Sequence, residues 1–163
     1  MISLIDKLQE NESYHYIDYI PYNPENPNYL DLEEYFQKIY LLDFAEKIIR
    51  IMLKLIWCYP CHIFLTKTMN QDSSCGDILA FSDIGKKSPE QLACIIKRVI
   101  LDDFSYMNFF IPDTQSLVTI GGEFSVAMYN MSENMITLLK LLCQQEGLFL
   151  KYRNEKGERI LIM

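Results

Sequence analysis

A single α+β domain spanning residues 1–163, with a mainly antiparallel sheet and three to four packed helices, is the fold this sequence predicts. Three observations carry that prediction. Helical periods are interleaved with runs of hairpin-like segments, not alternated one for one with strands as in a parallel sheet. Gly121-Gly122 separates two apolar runs, Leu117–Ile120 and Glu123–Tyr129, as a tight hairpin does, since glycines tolerate the positive φ such a turn needs. Half of the residues are apolar and 23% are charged, a balance that fills a core and excludes global disorder.

The elements follow in order. Residues 2–10 suggest a short helix, and 14–20 a strand of alternating sides. PYNPENPN holds three prolines and reads as a loop. From Asp31 to about Trp57 runs a long amphipathic helix with acids in its first turn. Its apolar stripe begins with Leu32, Tyr35, Phe36, Ile39 and Leu42 and continues through Ala45, Ile48, Ile49, Met52, Leu55 and Ile56.

His62–Lys67 reads as a strand, TMNQDSSCGD as a polar loop and Ile78–Phe81 as a second short strand. Ser88-Pro89-Glu90-Gln91 is a helix start, with Ser as cap, Pro at the first helical position and Gln three residues on. That helix reaches about Leu101, and residues 106–111 form a strand ahead of the glycine hairpin. Ser132 caps a last helix that Gly147 ends. Leu148–Arg153 and Glu158–Ile162 close the chain as a hairpin.

Charge is unevenly placed. The net formal charge is −7, and between Leu8 and Gln37 there are seven acids and no Lys or Arg. This acidic segment, 8–37, also carries six of the eleven tyrosines, at 14, 16, 19, 22, 29 and 35. Tyrosine gives large contact area at small rotamer cost, and concentrated negative charge steers a cationic partner while repelling phosphates. Alternating tyrosines in YHYIDYI also fit one face of an ordinary strand. The predicted contact set is Asp18, Tyr19, Tyr22, Glu25, Tyr29, Asp31, Glu33 and Glu34, with no nucleic acid as partner.

WCYPCH, residues 57–62, resembles the reactive motif of thioredoxin-like oxidoreductases. Those enzymes place the first cysteine at a helix N-terminus, where the helix dipole favours the thiolate. Here a helical pattern precedes Trp57 and a strand pattern follows Cys61, so Cys58 falls at a helix C-terminus and Pro60 acts as a stop. A zinc set of Cys58, Cys61, His62 and Cys75 lacks a second paired group. Cys94 and Cys143 fall inside helical patterns, where a free thiol behaves as a small hydrophobe. With no leader in MISLIDKLQENE and no apolar run long enough to span a bilayer, the expectation is a cytoplasmic protein with reduced thiols and no membrane association.

Other chemistries find no motif. His15 and His62 sit in strand patterns, Asp102-Asp103 ends a helix, and no phosphate-cradling or nucleophile-elbow sequence occurs. The expectation is no catalytic set, no metal and no cofactor. Net charge disfavours a nucleic-acid binder; a local basic face of Lys151, Arg153, Lys156 and Arg159 on the terminal hairpin is the alternative to it, and such a cluster is more often ordinary soluble surface.

The stretch FFIPDTQSLVTIGGEFSVAMYNMSENMITLLKLLCQQEGLFLKYR, residues 109–153, is similar in pattern to bacterial immunity proteins of contact-dependent growth inhibition and other polymorphic toxin systems. The resemblance implies a protein that binds a cognate toxin domain, often a nuclease, and blocks its active site or its access to substrate. A basic toxin would suit the acidic segment. An adaptor or regulatory subunit docking through the same tyrosines is the alternative, with a thiol oxidoreductase behind it.

Overall fold

The structure, a computed structural model, describes residues 1–22, 30–70 and 75–163. A seven-stranded antiparallel sheet carries the fold, built from β1 (Tyr14–Asp18), β2 (His62–Leu65), β3 (Met107–Ile111), β4 (Ser116–Ile120), β5 (Val126–Tyr129), β6 (Phe149–Arg153) and β7 (Arg159–Leu161). The spatial order is β2-β3-β4-β5-β1-β6-β7, so the first strand slots between the fifth and sixth. The helices are α1 (Ile2–Gln9), α2 (Leu30–Tyr35), α3 (Leu41–Cys58), α4 (Pro89–Asp102) and α5 (Glu133–Glu146). The α+β architecture expected from the sequence is the one observed.

Local signals act as their chemistry requires. Ser88 Oγ accepts from Gln91 N–H while the Gln91 side chain takes Ser88 N–H, a complete capping box with Pro89 at the first turn. Ser132 Oγ accepts from Met135 N–H, and Gly147 ends α5 at φ +68°. One face of the sheet takes α3, α4 and α5. Ile17, Ile63, Leu65, Phe109, Val118, Met128 and Leu150 meet Phe44, Ile48, Met52, Ile95, Val99 and Leu139 there, all buried. On the other face α1 covers one end of the sheet, with Ile5 packed on Phe64, Phe110 and Leu117. Gln9 Nε2 donates there to Thr119 Oγ1 and Asn108 Oδ1, satisfying polar groups that α1 would otherwise cover.

Four expectations need correction. The segment Ile78–Phe81 is not a strand; Ile78 makes a single bridge to Met69, with two 2.8 Å backbone bonds. Gly121 and Gly122 do not supply positive φ to their turn, where Glu123 takes it at +58°. Gly122 is needed for close approach instead, because a Cβ there would lie 1.9 Å from Asp103 Oδ1 at the end of α4.

The long helix, thirdly, is not one regular stripe. A π-helical turn, Phe36–Tyr40, joins α2 to α3. Its wider turn changes the phase of the faces. After it Leu41, Phe44, Ala45 and Ile48 are buried, while Leu32, Tyr35, Ile39 and Leu42 lie exposed. Fourthly, Cys75 and Cys94 form a disulfide, Cα–Cα 6.6 Å, that ties the segment before α4 to that helix. This departs from the expectation of reduced thiols, and of Cys94 as a free one, at these two positions.

Candidate functional site

Two surfaces answer to the sequence's acidic, tyrosine-rich segment, and they lie on different elements. Asp18 ends β1 with its carboxylate committed inside the chain. Its Oδ1 accepts from the Tyr19 and Ile20 N–H groups, and its Oδ2 lies 2.8 Å from Lys151 Nζ on β6. Tyr19 packs into an aromatic cluster with Phe36, Tyr40 and Phe124, at centroid distances of 4.4–5.5 Å. Both residues hold structure together before they offer anything to a partner. Tyr22 is 77% exposed. Glu25 and Tyr29 lie outside the described residues.

Asp31, Glu33 and Glu34 are exposed on α2, as expected for acids in a first turn. Glu34 pairs with Lys38 one turn on, and Asp43 with Lys47 at 2.9 Å. Beside them stand four large apolar side chains that the sequence marked as the start of the helix's apolar stripe. Leu32, Tyr35, Ile39 and Leu42 are 49, 53, 60 and 48% exposed. Their three- and four-residue spacing was legible as a stripe; which way the stripe pointed was not. An apolar row among acids at the start of a helix is a surface of the kind that proteins bury against one another.

The WCYPCH segment has the geometry its context implied. Cys58 is the last residue of α3 and Trp57 is 90% exposed. Burial, with Asp83 nearby adding to it, pushes the Cys61 thiol up to about 12. Such a thiol is protonated at neutral pH and a poor nucleophile. Cys143, also buried, is pushed up to about 12. Cys75, the fourth member of the zinc set weighed above, is bonded to Cys94. Among the described residues no group of three or more His, Cys, Asp or Glu is arranged to hold a metal.

His62 lies beside Asp83, Nδ1 to Oδ2 2.7 Å, and Asp83 Oδ1 also accepts from Ile63 and Gly85 N–H. Burial alone would raise the Asp83 carboxyl, but the His62, Gly85 and Ile63 hydrogen bonds outweigh it and hold it below the usual range. The arrangement clips the loop after β2 to that edge strand. Of the two aspartates ending α4, Asp102 pairs with Arg98 and Asp103 packs on Gly122.

The basic terminal hairpin is not uniform surface. Lys151 is 2% exposed and faces Asp18. Arg153 and Arg159 lie next to Tyr14 and Tyr16 along a cleft of about 200 Å³ on the sheet face that α1 leaves open. Sequence reading placed these side chains in two unrelated segments; the insertion of β1 between β5 and β6 brings them together.

Set beside known proteins, the chain matches no family model, no curated sequence and no solved structure at a significant level. Fold and surface define its class only as an α+β protein with an antiparallel seven-stranded sheet. No helix among the described residues is long and apolar enough to cross a membrane.

Proposed function

We propose that this protein is a non-catalytic inhibitor, an immunity protein that binds and neutralises a cognate basic toxin domain. One observation carries the reading: the large apolar side chains Leu32, Tyr35, Ile39 and Leu42 are exposed along the same helical stretch whose start carries Asp31, Glu33 and Glu34. Such a row lowers its free energy by burial against a partner, and the carboxylates beside it select a cationic one.

A stable complex of this kind covers roughly 800 Å² on each side, with a few large side chains at the centre and charges at the rim. Tyr35 and Ile39 are the central anchors in this arrangement; Asp31, Glu33 and Glu34 form the rim. Tyr22, highly exposed, is a further candidate contact on this reading. A basic toxin cleft occupied by this face would lose access to its substrate. The protein acts in the cytoplasm on this reading, where an incoming toxin meets its target.

Co-expression of the chain with the toxin domain encoded beside it, followed by affinity purification, tests the proposal. A stoichiometric complex that abolishes the toxin's activity supports it. No complex, or a complex that leaves the toxin active, overturns it.

A further inference from the structure

Across the open half of the sheet, side chains fall into rows set by strand register. Tyr14 of β1 is opposite Arg153 of β6, and Arg153 is opposite Arg159 of β7. The next row runs Thr119, Ala127, Tyr16, Lys151 and Leu161. Ala127 is the small member of that row, and the cleft of about 200 Å³ opens beside it, lined by Tyr14, Tyr16, Ser125, Arg153 and Arg159.

Three features of this cleft have no internal explanation. Two arginines stand directly opposite one another on one face, an arrangement that like charge disfavours. Among the described residues neither guanidinium makes an ion pair; Arg153 donates to Tyr14 Oη at 3.3 Å and lies over that ring at 5.9 Å, with Glu12 a more distant influence, so its charge is met by no anion. Tyr16 Oη is buried and has no hydrogen-bond partner among the described residues. A buried hydroxyl without a partner is disfavoured, because it has given up its hydrogen bonds to water and gained none in return. The nearby anionic Asp18 does not relieve the arginines, because its carboxylate is held by Lys151 and two backbone N–H groups.

One occupant resolves all three. We infer that this cleft is a binding site for a small dianionic oxyanion, the phosphate group of a phosphorylated small molecule. Two guanidinium charges match the two charges of a phosphate monoester, and their planar forks suit its oxygens better than a lysine would. The Tyr16 phenol completes the site. Burial pushes its ionisation up, with Arg159 opposing and Asp18 adding, so it remains an O–H donor at neutral pH. A planar monoanionic carboxylate would leave one arginine uncompensated. The site is on a different face from the acidic helix surface and does not depend on the inhibitory reading.

Titration of the whole chain with inorganic phosphate, followed by calorimetry and by the melting temperature, tests the assignment at constant ionic strength. Saturable binding with a rise in melting temperature is expected, and acetate is expected to bind on the order of tenfold more weakly. Arg159→Gln, an exposed position whose folding is checked by circular dichroism, is expected to weaken phosphate binding on the order of tenfold, and Tyr16→Phe by less. Three results overturn the proposal: no saturable phosphate binding, equal binding of acetate, or an Arg159→Gln protein that binds phosphate as the wild type does. A single-stranded oligonucleotide serves as the last arm. If it binds while inorganic phosphate does not, the cleft reads a nucleic-acid backbone and the small-molecule assignment fails.

Discussion

Lys151 Nζ, on a side chain only 2% exposed, sits 2.8 Å from Asp18 Oδ2, and this pair joins β6 to the strand that lies farthest from it in sequence. A buried ammonium is tolerated only where its charge is met. Asp18→Asn is therefore expected to destabilise by about 3 kcal/mol, at the low end for a broken buried pair because Asp18 retains 18% of its side-chain surface. Lys151→Met should cost clearly less, since the freed carboxylate keeps two backbone donors and some water. Urea unfolding of the two variants checks the asymmetry; equal losses would mean the pair is not what holds these strands.

Gly122 makes a second, sharper prediction. A Cβ at this position meets Asp103 Oδ1 at 1.9 Å and Asp103 Cβ at 2.4 Å, so the clash reaches close to the backbone. Gly122→Ala should destabilise by about 1–3 kcal/mol. Asp103 itself occupies a left-handed conformation at φ +46°, which glycine adopts freely. Adding Asp103→Gly should restore most of the loss in thermal melts. If the double variant is no better than Gly122→Ala, the close approach is not the cause.

Acid should weaken the fold before its carboxylates titrate. Burial lowers the His15 pKa below its usual 6.5, and the ring lies tilted against that of Tyr152, centroids 4.8 Å apart. A histidine held neutral in the native state binds fewer protons than in the unfolded chain. Its contribution is present above pH 6.5 and is lost as pH falls from 6.5 through the lower folded value. Stability measured from pH 7.5 to 5 should decline, and His15→Phe should flatten that decline. A decline of the same size in His15→Phe would assign it to other groups.

The cysteines can be counted. Of five, Cys58, Cys61 and Cys143 are free and Cys75 is joined to Cys94. Thiol titration of the non-reduced, unfolded protein should find three groups, and five after reduction. In the native state Cys58, exposed at the end of α3, should react first, with Cys61 and Cys143 slow because both thiols stay protonated. Five thiols without reductant would restore the original expectation of a reduced chain.

The acidic helix surface predicts a kinetic signature. With a captured basic toxin domain, Glu33→Lys combined with Glu34→Lys should lower the association rate several-fold at low salt, and less at high salt. On the inhibitory reading Ile39→Asp should instead speed dissociation, because a charge would replace an apolar anchor in the contact. Rates unchanged in both variants would remove this face from the interface.

Local chemistry was sufficient for much of this fold. Ser88 and Ser132 announce their helices because a hydroxyl can satisfy exposed backbone donors only at a helix start, and Gly147 ends one because it enters the left-handed region without strain. Alternation and helical spacing likewise marked the strands and the apolar stripes. These are properties of neighbours in the chain, so the sequence carries them openly.

The partners of each face were another matter. Periodicity shows that Leu32, Tyr35, Ile39 and Leu42 share a side, but whether that side is covered depends on where the π-helical turn aims it. Arg153, Arg159 and Tyr16 converge only because β1 inserts between β5 and β6, and Cys75 meets Cys94 only once its segment folds onto α4. Pairings between distant segments are settled by the packing of the whole core. The sequence determined the pieces and the faces they would need to bury; the tertiary structure alone decided which faces stayed open.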